Sequence, residues 1–163
     1  MVNRIVFVGV VSWAVLISLS AQSKPSSLQG AWRVTEVTQT SQGTRTVKNP
    51  PGMFLFTAKH YATLTTRSDQ PRPDIPQSKT ATATADELRA AWGPFTANGG
   101  TYELSGDTLT TKAIIAKNQG VMKSGNYQAF SVKMDGNTLT LVQKATDAGP
   151  STNPISFKMT RLE

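Results

Sequence analysis

Two stretches in the second half of this chain are built the same way. Thr101 to Leu104 meets Ser105-Gly106-Asp107 and continues as Thr108 to Ala116; Tyr127 to Met134 meets Asp135-Gly136-Asn137 and continues as Thr138 to Gln143. Glycine beside Asp or Asn tolerates the backbone angles a tight hairpin needs, and the Thr-Leu-Thr that follows sends alternate side chains to opposite faces. A hairpin written twice in this way commits the chain to antiparallel sheet.

Four other runs fit the same sheet. They are Gly30 to Thr38, Met53 to Thr57, Tyr61 to Arg67 and Ile155 to Arg161, the last with Ile155, Phe157 and Met159 on one face and Ser156, Lys158 and Thr160 on the other. One segment breaks the pattern. Ser68 to Ala83 is rich in Pro, Thr, Ala and charge and reads as a loop. Thr84 then precedes a short helix as its N-cap, with Glu87 at the third helical position, and Gly93-Pro94 ends it after Trp92. So short a helix needs something to pack on, a sheet face or a barrel mouth. Eight short strands joined by hairpins favour a meander closed on itself, which leaves no open edge, over a sandwich. The expected fold is all-β: an eight-stranded antiparallel up-and-down barrel with one short helix.

Composition removes several functions. The 163 residues contain no cysteine, which excludes disulfides, thiolate catalysis and Cys-based zinc sites, and the single histidine, His60, excludes a multi-histidine metal site within the chain. No metal and no cofactor is expected. The 17 basic residues exceed the 10 acidic ones, but they are spread from Arg4 to Arg161 without a basic run, which predicts a solvated surface and no specific nucleic-acid partner. Residues 1–21 read as a signal peptide. Arg4 supplies the positive start, Ile5 to Leu19 the apolar stretch, and Ser18, Ser20 and Ala21 the small residues near a cut. The apolar stretch is shorter than a bilayer span, so no stable transmembrane segment is expected after processing, and the protein is expected to be secreted or periplasmic. Residues 22–27 form a short polar tether and 28–163 the barrel domain, expected as a monomer or weak homodimer.

The order of several short motifs resembles the bacterial lipocalin-like domain family, a calycin-type group distantly related to lipocalins and fatty-acid-binding proteins. The motifs are Leu28-Gln29-Gly30-Ala31-Trp32-Arg33, Pro50-Pro51-Gly52-Met53-Phe54-Leu55-Phe56, Tyr61, Arg67, and Gly99 to Asp107. The resemblance implies that Gly30 and Trp32 open the first strand, that the indole closes one barrel end, and that Arg161 from the last strand packs across it as a structural partner. It also marks a departure: relatives carry histidines on the strand after the Gly-Thr-Tyr segment, where this chain has Thr110, Thr111 and Lys112.

A ligand site is expected where aromatic side chains meet a few converging polar groups. Phe54, Phe56, Tyr61, Arg67, Trp92, Tyr102 and Tyr127 are the candidate ligand-binding residues, with ordinary core or rim packing as the alternative for each. The 68–83 loop and the helix offer a lid or portal cover, or else a tolerated surface insertion. Lys112, Lys117 and Lys123 would favour an anionic headgroup if they gathered at an open end. Three functions stay open: an exported binding protein for a small, mostly apolar or amphipathic molecule; a structural or interaction domain with a filled core; and an isomerase or cyclase using His60 with Glu36, Glu103 or Asp69. No catalytic residue is assigned, because the chain has no nucleophile elbow, no zinc-protease motif and no phosphate loop.

Overall fold

The computed structural model describes residues 27–41 and 43–163; the leader at 1–21 and all but the last residue of the tether lie outside them. Ten strands form one sheet: β1 (Gly30–Gln39), β2 (Arg45–Lys48), β3 (Gly52–Phe56), β4 (His60–Thr66), β5 (Phe95–Ser105), β6 (Thr108–Ala116), β7 (Gln128–Asp135), β8 (Thr138–Thr146), β9 (Gly149–Pro150) and β10 (Ile155–Arg161). Eight of them close a ring in the order β1-β3-β4-β5-β6-β7-β8-β10, because β10 pairs with both β8 and β1. All neighbours are antiparallel. The fold is the expected eight-stranded barrel. β2 and β9 are short additions paired to β1 and β8 outside that ring.

The two hairpins have the turns their sequences specify. Gly106-Asp107 joins Ser105 to Thr108 and Gly136-Asn137 joins Asp135 to Thr138, with φ of +59° and +54° at the glycines. Positive φ at the first central residue alone is the type II′ pattern, whose twist matches that of the flanking strands.

Side chains alternate into the barrel with three exceptions. Irregularities between Val34 and Glu36, between Gly99 and Gly100, and between Ala129 and Phe130 insert extra residues into the ladders. The first lets Val34 and Val37 both reach the interior, where each is fully buried. One end is sealed by Trp32, Val34, Leu139 and Met159, all without solvent contact. The indole donates to the Leu28 carbonyl at 2.8 Å, and the Arg161 guanidinium lies 4.1 Å from the ring centre while donating to the carbonyls of Gln29 and Ser27. Gly30, at φ +129°, lets the chain enter beneath this pair.

The helix α1 (Ala85–Trp92) starts with a complete capping box: Thr84 accepts from the Glu87 amide, and the Glu87 carboxylate accepts from the Thr84 amide at 2.7 Å. It connects β4 to β5 at the end of the barrel opposite Trp32. It buries only Ala91, so its attachment rests on few contacts: Trp92 against Phe95, Arg72 stacked on Phe95 at 5.1 Å, and Lys117 donating to the carbonyls of Trp92 and Phe95. No described helix is long and apolar enough to cross a membrane.

Candidate functional site

Above the sealed end the interior is not filled. A cavity of about 200 Å³ lies between the aromatic layer and the open rim. Its floor is built from strands around the ring whose inward positions carry aromatic side chains: Phe54 and Phe56 on β3, Phe130 on β7 and Phe157 on β10. Phe54 and Phe157 meet edge to face at 5.1 Å, an arrangement that fixes both rings without filling the space over them. Leu109, Leu141 and Ile155 complete the apolar part.

The wall and rim are polar. On β4 the inward positions run Tyr61, Thr63, Thr65 and then Arg67 just past the strand, so one strand carries the site from its floor to its mouth. Thr96 and Asn98 on β5, Gln128 on β7 and Gln143 on β8 continue the polar ring, with Gln39, Ser41 and Asn153 at its outer edge. A second recess of about 160 Å³ adjoins the first through Tyr61, Asn98, Thr111 and Gln128, and extends to Tyr127 and Asp147.

Two groups are shifted by this setting. Burial pushes the Tyr61 phenol above its ordinary value, opposed in smaller part by the Thr111 hydroxyl, so the phenol stays protonated throughout the physiological range and keeps a proton to donate. Burial lowers Arg67 from its ordinary value, which is high enough that the guanidinium remains charged. The Nε of Arg67 and the hydroxyls of Thr63 and Thr65 are buried without a hydrogen-bond partner.

The profile of the lipocalin-like domain matches residues 29–158. The chain belongs to the lipocalin-like domain family. Among solved structures this lipocalin-like chain is similar to an uncharacterized protein from Bacteroides eggerthii DSM 20697, at 10% identity and a TM-score of 0.42, over 82% of this chain and 98% of that one. Among curated proteins none matches.

The lipocalin-like barrel brings some of the sequence candidates together and separates others. Phe54, Phe56, Tyr61 and Arg67 line the main cavity, and Tyr127 lines the adjoining recess. Tyr102 does not line either. Its ring packs edge-on against Phe56, and its hydroxyl donates to the Thr57 carbonyl at 2.7 Å, which holds it at the β3–β4 turn. Trp92 does not line either as well; it is half-exposed against Phe95 because α1 sits beside the mouth and contributes no side chain to the cavity wall. A lid formed by the 68–83 loop finds no counterpart in that wall. Lys112 and Lys117 fall in separate exterior grooves.

His60 is exposed at the start of β4, Glu36 is paired with Lys48, and Asp69 with Arg45, so no imidazole–carboxylate pair faces the cavity. Among the described residues no group of three metal-ligating side chains occurs. The rim amides Asn98, Gln128 and Gln143 were not among the sequence candidates. Gln128 shares the parity of Phe130 on β7 and Gln143 that of Leu141 on β8, which was the available signal.

Proposed function

We propose that this chain is an exported carrier of a small, mostly apolar molecule held inside the barrel. The observation that supports the reading is the unfilled space over a floor of phenylalanines, walled by hydroxyls and carboxamides that can orient a guest. An apolar cavity of about 150 Å³ holds one benzene molecule. The space here accordingly suits one ring with a short substituent, or a short aliphatic chain. Burying such a guest gains about 25 cal/mol for each Å² of apolar surface removed from water. Export rests on the composition of residues 1–21.

A wholly filled structural barrel would have no use for buried polar groups facing an interior space, and catalysis would need a proton-transfer pair that the wall does not supply. The test is native mass spectrometry of the full chain expressed in an exporting host, followed by organic extraction, with fluorescent lipophilic probes titrated in parallel. A retained small molecule or saturable probe binding is the expected result. No retained molecule together with no probe binding overturns the carrier reading.

A further inference from the structure

Among the described residues, Arg67 is the one charged side chain lining the main cavity. The ion pairs among the described residues are Arg45–Asp69, Lys48–Glu36 and Arg89–Asp86, so no carboxylate of the barrel neutralises it. Its Nε is buried without a hydrogen-bond partner, and so are the hydroxyls of Thr63 and Thr65. These three residues alternate along one face of β4 and its continuation, with successive side chains about 7 Å apart along the strand. Arg67 is part-buried at the mouth, and a guanidinium whose Nε is shut off from water without a partner or counter-charge disfavours the fold, as do buried hydroxyls lacking partners. Three such groups in one row, facing one cavity, form a site waiting for an acceptor.

The required acceptor can be specified. It must be anionic to answer the guanidinium, and it must accept more than one hydrogen bond to answer the hydroxyls as well. A carboxylate has one negative charge and two acceptor oxygens in a plane that matches the guanidinium fork. A phosphate monoester carries nearly two charges near neutral pH and would leave one of them unanswered, since no second cation among the described residues lines the cavity. Arg67 also borders an exterior groove with Phe95 and Lys117, which places it at the mouth and leaves the phenylalanine floor for the rest of the molecule.

Resting on the carrier reading, we infer that the cavity binds a small organic carboxylate tail-first, with its head group on Arg67 and the Thr65 hydroxyl and its ring or short chain among Phe54, Phe130 and Phe157. The experiment titrates the full chain by calorimetry with 3-phenylpropionate and with its uncharged counterpart 3-phenylpropanol, then repeats both with Arg67→Gln. The carboxylate is expected to bind at least tenfold more tightly than the alcohol. Arg67→Gln is expected to remove that preference, the carboxylate then binding no more tightly than the alcohol. Equal binding of the two probes to the unmodified chain overturns the inference while leaving the carrier reading in place. A preference that survives in a folded Arg67→Gln protein also overturns it. Binding of neither probe counts against both. The comparison in the unmodified chain stands even if the variant does not fold.

Discussion

The guanidinium of Arg161 lies 4.1 Å from the centre of the Trp32 ring, and the same guanidinium donates to the backbone carbonyls of Gln29 and Ser27. One residue of the last strand therefore covers a core aromatic and fastens the segment that leads into the first strand. Trp32→Ala should lower unfolding stability by about 3–5 kcal/mol, the usual effect of emptying a buried large aromatic site. Arg161→Ala should cost about 1–2 kcal/mol through the lost cation–π contact and hydrogen bonds. Arg161→Lys should fall between Arg161→Ala and the parent, because an ammonium keeps the charge without the planar fork. Urea denaturation measures all three; an Arg161→Ala protein as stable as the parent would show the contact to be idle.

Gly30 has its own test. At φ +129° an L side chain is strained, and a Cβ there would meet the Glu163 carbonyl oxygen at 2.4 Å and the Arg161 Nη1 at 2.8 Å. Gly30→Ala should destabilise the barrel by about 1–3 kcal/mol. Removing Glu163 in the same protein should recover the part due to contact with its carbonyl and none of the part due to φ, as read from thermal unfolding midpoints.

Thr65 and Thr63 separate stability from binding. Each buries a hydroxyl without a partner, and valine replaces that hydroxyl with a methyl of similar shape that also suits a strand. Thr65→Val should raise stability by about 0.5–1.5 kcal/mol. The same variant should bind 3-phenylpropionate more weakly than the parent does. A protein destabilised by the change would mean that the hydroxyl is satisfied in solution.

The helix should respond to acid before the barrel does. Hydrogen bonds from the Thr84 amide and hydroxyl hold the Glu87 carboxyl below its ordinary range. A lowered folded value means that the cap's contribution is fully present above the ordinary carboxylate range and is lost as pH falls through the folded value. Hydrogen-exchange protection in residues 85–92, taken relative to the intrinsic rate at each pH, should therefore fall on acidification below the ordinary carboxylate range, while the strands keep theirs. Thr84→Ala should produce the same local opening at neutral pH, with the barrel's unfolding midpoint nearly unchanged because α1 buries only Ala91. Matching loss of protection in β4 and β5 would show the helix to be part of the cooperative unit.

Much of the barrel was legible from alternation and turn chemistry. The hairpins at Gly106 and Gly136, the capped helix and the closing strand at Ile155–Arg161 all stand where local rules place them. The first half of β5 was hidden: the strand was expected only from Thr101, and it begins at Phe95, through a Gly99-Gly100 pair that weakens the strand signal. In the folded chain those glycines allow close approach: a Cβ on Gly100 would lie 2.0 Å from the Lys112 carbonyl oxygen. The site was legible in part. Tyr61 and Arg67 share the parity of one uninterrupted strand, and Phe54 and Phe56 share another. Trp92 and Tyr102 were drawn in by their size, yet Trp92 packs on Phe95 just beyond the helix, beside the mouth, and Tyr102 is held by Phe56 and Thr57, far from it in sequence.

The seam formed by β10 governs how this molecule comes into being. With one flank on β1 and the other on β8, Ile155–Arg161 is the keystone of the ring, and two long ladders remain unmatched until it has been synthesised. A nascent chain halted before Ile155 would present two sticky borders and an unroofed aromatic floor, the kind of surface that draws chaperones or self-association. Assembly of the container is thus tied to completion of its final strand, and a partly made copy has no enclosed interior to offer.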